Sequence, residues 1–350
     1  MNSVMGQRLR SARRMTGLSM ERLAKESGSM VSKQAISKYE KGTAKPGSEV
    51  LLALARALGV KVDYFFRPFR LHITHLEFRK KSKLTRTEEK QMEYQAIDFL
   101  EKYRELEELL NIVPSFSNPV AKRRIFNQED IERAAHNIRD AWDLGKGPIS
   151  ELTELLEDQG IKIFEVKASS DFDGLSGFAD EGKVPFIAIY NGEDRVRRRF
   201  TLAHELAHLL LDFSRHDDKP RERLCHAFAG SLLLPEEVIR DELGGNRRKI
   251  TEWELKKLKG IYGISMQAIM ARALNLGIIS ESAFKQFRIY VSKHGWRKHE
   301  PGNYSGEEKA NRFKQLVLQA AAEQVISYSK AAEFLNLSLS EFEREVSIVS

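Results

Sequence analysis

The chain has 350 residues, 41% hydrophobic and 31% charged, with a formal net charge of +7 and a single cysteine, Cys225. That length supports two or three separate cores, and one cysteine excludes an intramolecular disulfide framework, so a reducing cytoplasm is the expected compartment. No apolar run approaches the ~18 residues of a membrane span and no charged-then-apolar leader opens the chain, so no membrane partner is expected.

The charge is unevenly placed. Residues 1–70 carry 14 Lys/Arg against 5 Asp/Glu, whereas the rest carries 43 against 45. All the positive excess lies in the first fifth, the footprint of a nucleic-acid-binding module joined to a neutral body. Within residues 6–66, short helical patterns alternate with turn residues. GQRLRSARRMTG puts Leu9, Ala12 and Met15 on one face and ends at Gly17. Ser19 suits the N-cap of a helix that stops at Gly28, and Ser32 that of a helix that stops at Gly42. Pro46 and Ser48 open VLLALARALGV, and the apolar plug VDYFF follows. These patterns predict a compact all-α domain.

The helices predicted at 19–27 and 33–40 have the length and order of a helix-turn-helix. Ala24 is small where the two must cross, and Ile36 is apolar where the second packs on the first. Lys33, Gln34, Ser37 and Lys38 are left facing outward. Glutamine can bond adenine bidentately, and lysine can reach guanine acceptors or phosphates. The run QRLRSARRMTGLSMERLAKESG, continued by SKQAISKYEKGTAKPGSEVLLALARALGV, resembles the XRE family of λ-repressor/Cro-like helix-turn-helix domains over residues 6–66. That resemblance implies double-stranded operator or promoter DNA as partner, with Lys33, Gln34 and Lys38 at base-contacting positions and Lys41 near a phosphate. Two features depart from the family: Met20 replaces a glutamine that helps hold the backbone, and Ser29-Met30 lengthen the turn. Domains of this type also bind protein; the local charge favours DNA.

Next, LHITHLEF reads as a strand, followed by the basic run RKKSK. Thr85 and Glu88 form a capping box for a long helix over roughly 86–111. Met92, Ala96, Phe99, Tyr103, Leu106 and Leu110 make a narrow heptad seam, too short for a free coiled coil and expected to pack against the next domain. From residue 126 the pattern becomes α+β. Helices are predicted at 128–142 and 148–159, and strands at GIKIFEV, LSGFADE and VPFIAIYN. The helix of TLAHELAHLLLDF follows, then another over about 221–233 ending at Pro235. The basic string at 195–199 reads as a solvated turn with one or two arginines paired to acids. The remainder is mostly helical, broken at 295–306. In the last unit Phe313, Leu316, Val317, Ala320 and Ala321 share one face, and mixed charge points to a regulatory or partner-binding role.

Residues 201–213 contain His204-Glu205-Leu206-Ala207-His208. Two histidines at i and i+4 share a helix face and can present two imidazole nitrogens to one ion. Glu205, about 100° round, is placed to take a proton from a water at that ion. By composition the pattern arises in roughly one chain in a hundred of this length. The surrounding Phe200, Leu202, Leu206, Leu209, Leu210, Leu211 and Phe213 bury the helix, so its polar groups need partners, and one metal serves all three. A catalytic zinc needs a third protein ligand. Asp212, His216, Asp217, Asp218, Glu222, Cys225 and His226 all stand downstream, and Asp212 is also placed to orient His208.

RRRFTLAHELAHLLL with ERLCHAFAGSLLLPEE resembles the ImmA/IrrE family of metallopeptidases, as do DFDGLSGFAD, VPFIAIYN and YGISMQAIMARALNLGIIS, over roughly residues 70–300. The resemblance implies His204, His208 and Glu222 as ligands of Zn(2+) and Glu205 as general base. His226 stands where the family usually has asparagine; polarising the substrate carbonyl, bonding to Glu222 and neutral packing are all open to it, and a supporting role beside the ligands is expected. Substrate strands in such peptidases align along an exposed strand edge, for which VPFIAIYN is the expected strand; Tyr190 is an oxyanion candidate, but an ordinary core or surface tyrosine is the favoured reading.

The fold class expected is multidomain: an all-α helix-turn-helix N-terminal domain, an α+β zincin-like metallopeptidase domain and a helical C-terminal region. Boundaries are expected at 1–68, 69–125 (connector with the long helix), 126–240 (peptidase core), 241–304 (helical extension) and 305–350. The primary functional expectation is a DNA-binding regulator with a zinc metalloendopeptidase that cleaves a helix-turn-helix repressor in stress or mobile-element control. The alternative is an autoregulating antitoxin or immunity regulator that binds its promoter and neutralises a cognate toxin, its metal site structural or weakly catalytic. A homodimer is a further candidate assembly.

Overall fold

The computed structural model describes residues 3–69, 73–78 (backbone alone), 85–113, 115–120, 123–166, 172, 174–180, 182–192, 194–297 and 299–346. The basic run RKKSK lies outside the described residues. The chain divides into two compact units. One comprises Met1–Val113, Leu316–Ser350 and the short piece Ala179–Glu181; the other comprises Pro114–Phe178 and Gly182–Gln315.

The first unit opens with α1 (Val4–Met15), α2 (Met20–Glu26), α3 (Lys33–Glu40) and α4 (Ser48–Leu58), then a 3-10 turn at Val62–Phe66. Ser3, Ser19 and Ser32 each accept a backbone N–H at the head of its helix. Gly59 ends α4 at φ +65°, where a side chain would be strained. Leu9, Ala12, Leu23, Ile36, Leu54, Leu58 and Phe65 form the core. Beneath it Arg13 grips Glu40 through two hydrogen bonds of 2.6 and 2.9 Å, both side chains buried, which locks α1 to α3.

β1 (Ile73–Phe78) and α5 (Arg86–Leu109) follow, α5 beginning in the Thr85–Glu88 capping box. The predicted seam is a packing face: Met92, Ala96, Tyr103 and Leu106 are buried. Its partners belong to the same unit, where α5 packs on α1 and Arg8 bonds Glu101 at 2.6 Å. The part of α14 (Arg312–Ala322) from Leu316 onward, with α15 (Tyr328–Phe334) and α16 (Leu339–Glu345), completes the unit. Lys102 donates to Asn336 at 2.8 Å, and Lys330 pairs with Glu105 at 3.0 Å. All five apolar residues expected to share a face of α14 are buried.

The second unit contains α6 (Gln128–Ala141), α7 (Leu152–Asp158), β2 (Lys162–Val166), β3 (Gly174–Ala179) and β4 (Val184–Tyr190). α8 (Arg195–Leu210) and α9 (Asp218–Leu233) come next, then α10 (Glu236–Leu243), α11 (Glu252–Tyr262), α12 (Met266–Asn275) and α13 (Glu281–Lys293). β4 lies between β3 and β2, and pairs in parallel with β2 from Lys162 opposite Phe186 to Val166 opposite Tyr190. Phe186, Ile187, Ala188 and Ile189 are wholly buried, as a strand covered on both faces requires. α8, α9, α6 and α12 pack together behind it.

Three local readings change. α7 starts at Leu152 because its first N–H groups, Leu152 N and Thr153 N, donate to the Glu308 carboxylate at 3.1 and 2.9 Å, a cap supplied from far along the chain. α9 starts at Asp218 because Pro220 sits in the first turn, where a missing N–H costs nothing. The basic string 195–199 is the head of α8, capped by Asp194, and not a solvated turn. Arg198 and Arg199 are buried; Arg198 meets Glu165 at 2.6 Å, and Arg199 meets Glu308. Among the described residues no helix is long and apolar enough to cross a membrane.

Candidate metal centre and nucleic-acid face

On α3, Ile36 is buried in the core and Glu40 in the lock with Arg13, which fixes the opposite side of the helix outward. Lys33, Gln34 and Lys38 are exposed there, Ser37 is half-buried, and Lys41 is exposed just past the helix end. Among the described residues the Gln34, Lys38 and Lys41 side chains make no hydrogen bond or ion pair. Lys33 differs, being paired with Glu21 of α2. Met20 packs against the helical core, and Ser29 holds φ +58° in the turn before α3.

The second site grows from α8. His204 and Glu205 are fully buried, and the His208 side chain is 5% exposed. The buried apolar residues that flank them, Leu202, Leu206, Leu209 and Leu210, hold α8 against β4 and α9. His204 Nε2 and His208 Nε2 lie 3.2 Å apart. From α9 the Glu222 carboxylate reaches both, 3.3 Å from each Nε2. Burial works to raise the Glu222 pKa, but hydrogen bonds from the two histidines outweigh it and hold the carboxyl well below the usual range. In a tetrahedral zinc shell with bonds of ~2.0–2.1 Å, neighbouring donors lie about 3.3 Å apart. The three donors therefore already have the mutual spacing of a zinc triad, and the chemistry of the set, two imidazoles and a carboxylate, suits that ion.

Cys225 also comes within 4.8 Å of the two histidines. Its sulfur lies 3.8 Å from Nδ1 of His208, on the far side of the ring from Glu222. Burial pushes its thiol pKa up. Cys225 thus meets His208 at Nδ1, whereas Glu222 lies within 3.3 Å of both Nε2 atoms. Among the other downstream candidates, His216 Nε2 is 2.9 Å from the Ile125 carbonyl, Asp218 pairs with Arg221 at 3.0 Å, and Asp217 is exposed at the head of α9 with no side-chain capping bond. Asp212, at the end of α8, accepts from Ser214 N at 2.9 Å and faces Arg124 at 3.6 Å.

Glu205 is reached from β3, where Ser176 Oγ donates to it at 2.8 Å. The close approach depends on Gly174: a Cβ there would stand 2.9 Å from Thr201 Cγ2 and 3.1 Å from Glu205 Cγ. Neither Ser176 nor Gly174 was singled out from sequence, since nothing in a strand pattern says which helical carboxylate it will meet. His226 is exposed, stacked on Phe200 with ring centroids 5.7 Å apart and 4.5 Å from the His204 ring. Beside it opens a cleft of about 540 Å3 lined by Phe200, Leu224, His226, Gln267 and Ala271. The strand VPFIAIYN, expected to offer an edge to substrate, is interior with β2 and β3 on its two sides, so its ladder groups are already used. Tyr190, at its end, sits against Gly192.

Residues 9–65 match the helix-turn-helix family model, and residues 156–274 match that of the IrrE N-terminal-like domain, a peptidase family. No curated protein matches the chain. The chain therefore joins a DNA-binding helix-turn-helix of the XRE type to a peptidase-like domain of the ImmA/IrrE type.

Proposed function

We propose that this protein is a DNA-bound regulator whose second unit is a working zinc endopeptidase acting on a helix-turn-helix repressor or a related regulatory protein. The observation that carries the reading is the convergence of His204, His208 and Glu222 donors at 3.2–3.3 Å, with the buried Glu205 next to them. Lys33, Gln34, Ser37 and Lys38 read the major groove, and Lys41 contacts phosphate. Zn(2+), when bound by His204, His208 and Glu222, polarises a substrate carbonyl and lowers the pKa of a water towards ~7.

Within that site Glu205 takes the proton of the attacking water and returns it to the leaving amine. Ser176 orients the Glu205 carboxylate by its hydrogen bond and so selects which oxygen faces the reacting water. His226, exposed at the mouth and braced by Phe200, meets the substrate carbonyl. Asp212 closes the end of α8 that carries His208. The adjoining cleft receives a substrate side chain.

The test uses the full chain, purified with zinc and mixed with repressors encoded by neighbouring genes. Wild type is expected to produce discrete fragments, and Glu205→Gln to slow cutting by at least about a thousandfold while keeping its zinc. Cutting that persists in Glu205→Gln removes Glu205 as base. No cutting of any neighbour, together with toxin neutralisation that Glu205→Gln retains, would replace the peptidase with the antitoxin reading.

A further inference from the structure

α11, α12, α13 and the loop before α11 enclose a cleft of about 340 Å3 lined by none of the metal-centre residues. Its floor is apolar and soft: Leu255, Met266, Met270, Ile279 and Phe287. Trp296 closes one end, with Tyr290 edge-on to it at 5.2 Å between ring centroids. Two methionines beside aromatic rings form a wall that adapts to a flat guest. At ~30 Å3 per water in the liquid, the volume equals that of roughly eleven waters, enough for a molecule of one or two rings.

The lip is cationic. Arg248 and Lys249 are exposed there, and among the described residues their side chains have no hydrogen bond or ion pair. Their neighbour Arg247 is different: Glu254 holds it at 2.8 and 3.2 Å. The acid among the lining residues, Glu252, is taken up by Lys256 at 2.5 Å and by the Tyr290 hydroxyl at 3.3 Å. An apolar, aromatic floor under two uncommitted cations selects a guest with a flat apolar body and one negative end.

We propose that this cleft is a binding site for a small aromatic anion, its rings against Met270, Phe287 and Trp296 and its charge between Arg248 and Lys249. The site is separate from the peptidase reading and stands without it.

Calorimetric titration of the full chain with naphthalene-2-carboxylate tests the proposal, with naphthalene-2-methanol as the uncharged twin. One saturable site is expected for the acid, with the alcohol about tenfold weaker. The double variant Arg248→Ser/Lys249→Ser should bring the acid down to the alcohol's affinity and leave the alcohol unchanged. Ala283→Phe, which fills the half-buried lip, should weaken both at least about tenfold. The surface double variant tests the charge without touching the core. No saturable binding of the acid at millimolar concentration, equal affinity for acid and alcohol, or binding indifferent to both variants would each overturn the proposal.

Discussion

Lys33, Gln34 and Lys38 on α3 stand in water, while His204 and Glu205 on α8 are wholly removed from it. An exposed face is specified by the residue order of its own helix, because water satisfies whatever the protein does not. A buried polar group has no such reserve and must find every partner inside the protein. The buried polar groups of α8 accordingly draw on β3 for Ser176, which meets Glu205, on α9 for Glu222 and Cys225, which meet the histidines, and on the 300–311 segment for Glu308, which meets Arg199. Substitutions on the exposed face of α3 should thus alter binding alone, whereas those around α8 should alter the fold and the site together.

The largest expected break between the two regions is Arg199→Ala. Arg199 lies five residues before His204, fully buried, and donates to the Ile149 carbonyl at 2.7 Å as well as pairing with Glu308. Its removal leaves the Glu308 charge buried and uncompensated, at a cost of about 3–5 kcal/mol. Denaturant unfolding of the full chain should show that loss, and zinc retention should fall with it. A variant as stable as wild type would mean that Glu308 is satisfied by its α7 contacts alone. It would also remove the coupling argued between that segment and the metal helix.

The same contrast explains what could be read from the sequence. Helix ends in the first unit were legible because Ser19, Ser32 and Thr85 cap their own helices a few residues on. The outward set on α3 followed from Ile36 alone. The approach of His204 to His208 was legible because their spacing is set by the helix, and Glu222, which lies beside both, entered only through family resemblance. The head of α7 was misplaced because its cap is Glu308, more than 150 residues away. VPFIAIYN passed for an edge strand because its apolar run says that both faces are covered but not whether both edges are. That one or two arginines of 195–199 pair with acids was legible, as Arg198 and Arg199 do; their place in a helix and their burial were not, because burial of a charge depends on a partner that local pattern does not contain.

A smaller effect sharpens the buried side of the comparison. Glu157 on α7 accepts from Asn311 N and Arg312 N at 3.3 and 3.1 Å through one oxygen, Oε2. Its other oxygen is buried without a hydrogen-bond partner among the described residues. Burial pushes its pKa up from 4.5 to about 7, against the opposing backbone hydrogen bonds. Since the folded-state value lies above the unfolded one, the associated stability is full below pH ~4.5 and is lost as pH rises through 7. Glu157→Gln should therefore flatten the stability profile between pH 4.5 and 8 and stabilise the protein at pH 8 by roughly 1–3 kcal/mol. An unchanged profile in thermal unfolding across that range would show that Glu157 stays ionised in the fold.

The smallest effect belongs to the exposed face. Lys33 is engaged by Glu21, whose carboxyl is held below its ordinary pKa by that hydrogen bond. DNA must displace Glu21 before Lys33 can contribute, and Glu21 itself repels phosphate. Both sides of the pair are exposed, so breaking it should leave the thermal midpoint unmoved. Glu21→Gln should instead tighten binding to double-stranded DNA about two- to fivefold at low salt, with the gain shrinking as salt screens the charges. Lys33→Gln should undo that gain in the double variant, because the benefit acts through Lys33. Fluorescence anisotropy at several salt concentrations separates the cases. A gain that survives Lys33→Gln would assign it to relief of general repulsion, and a loss of affinity would place Glu21 itself among the DNA contacts.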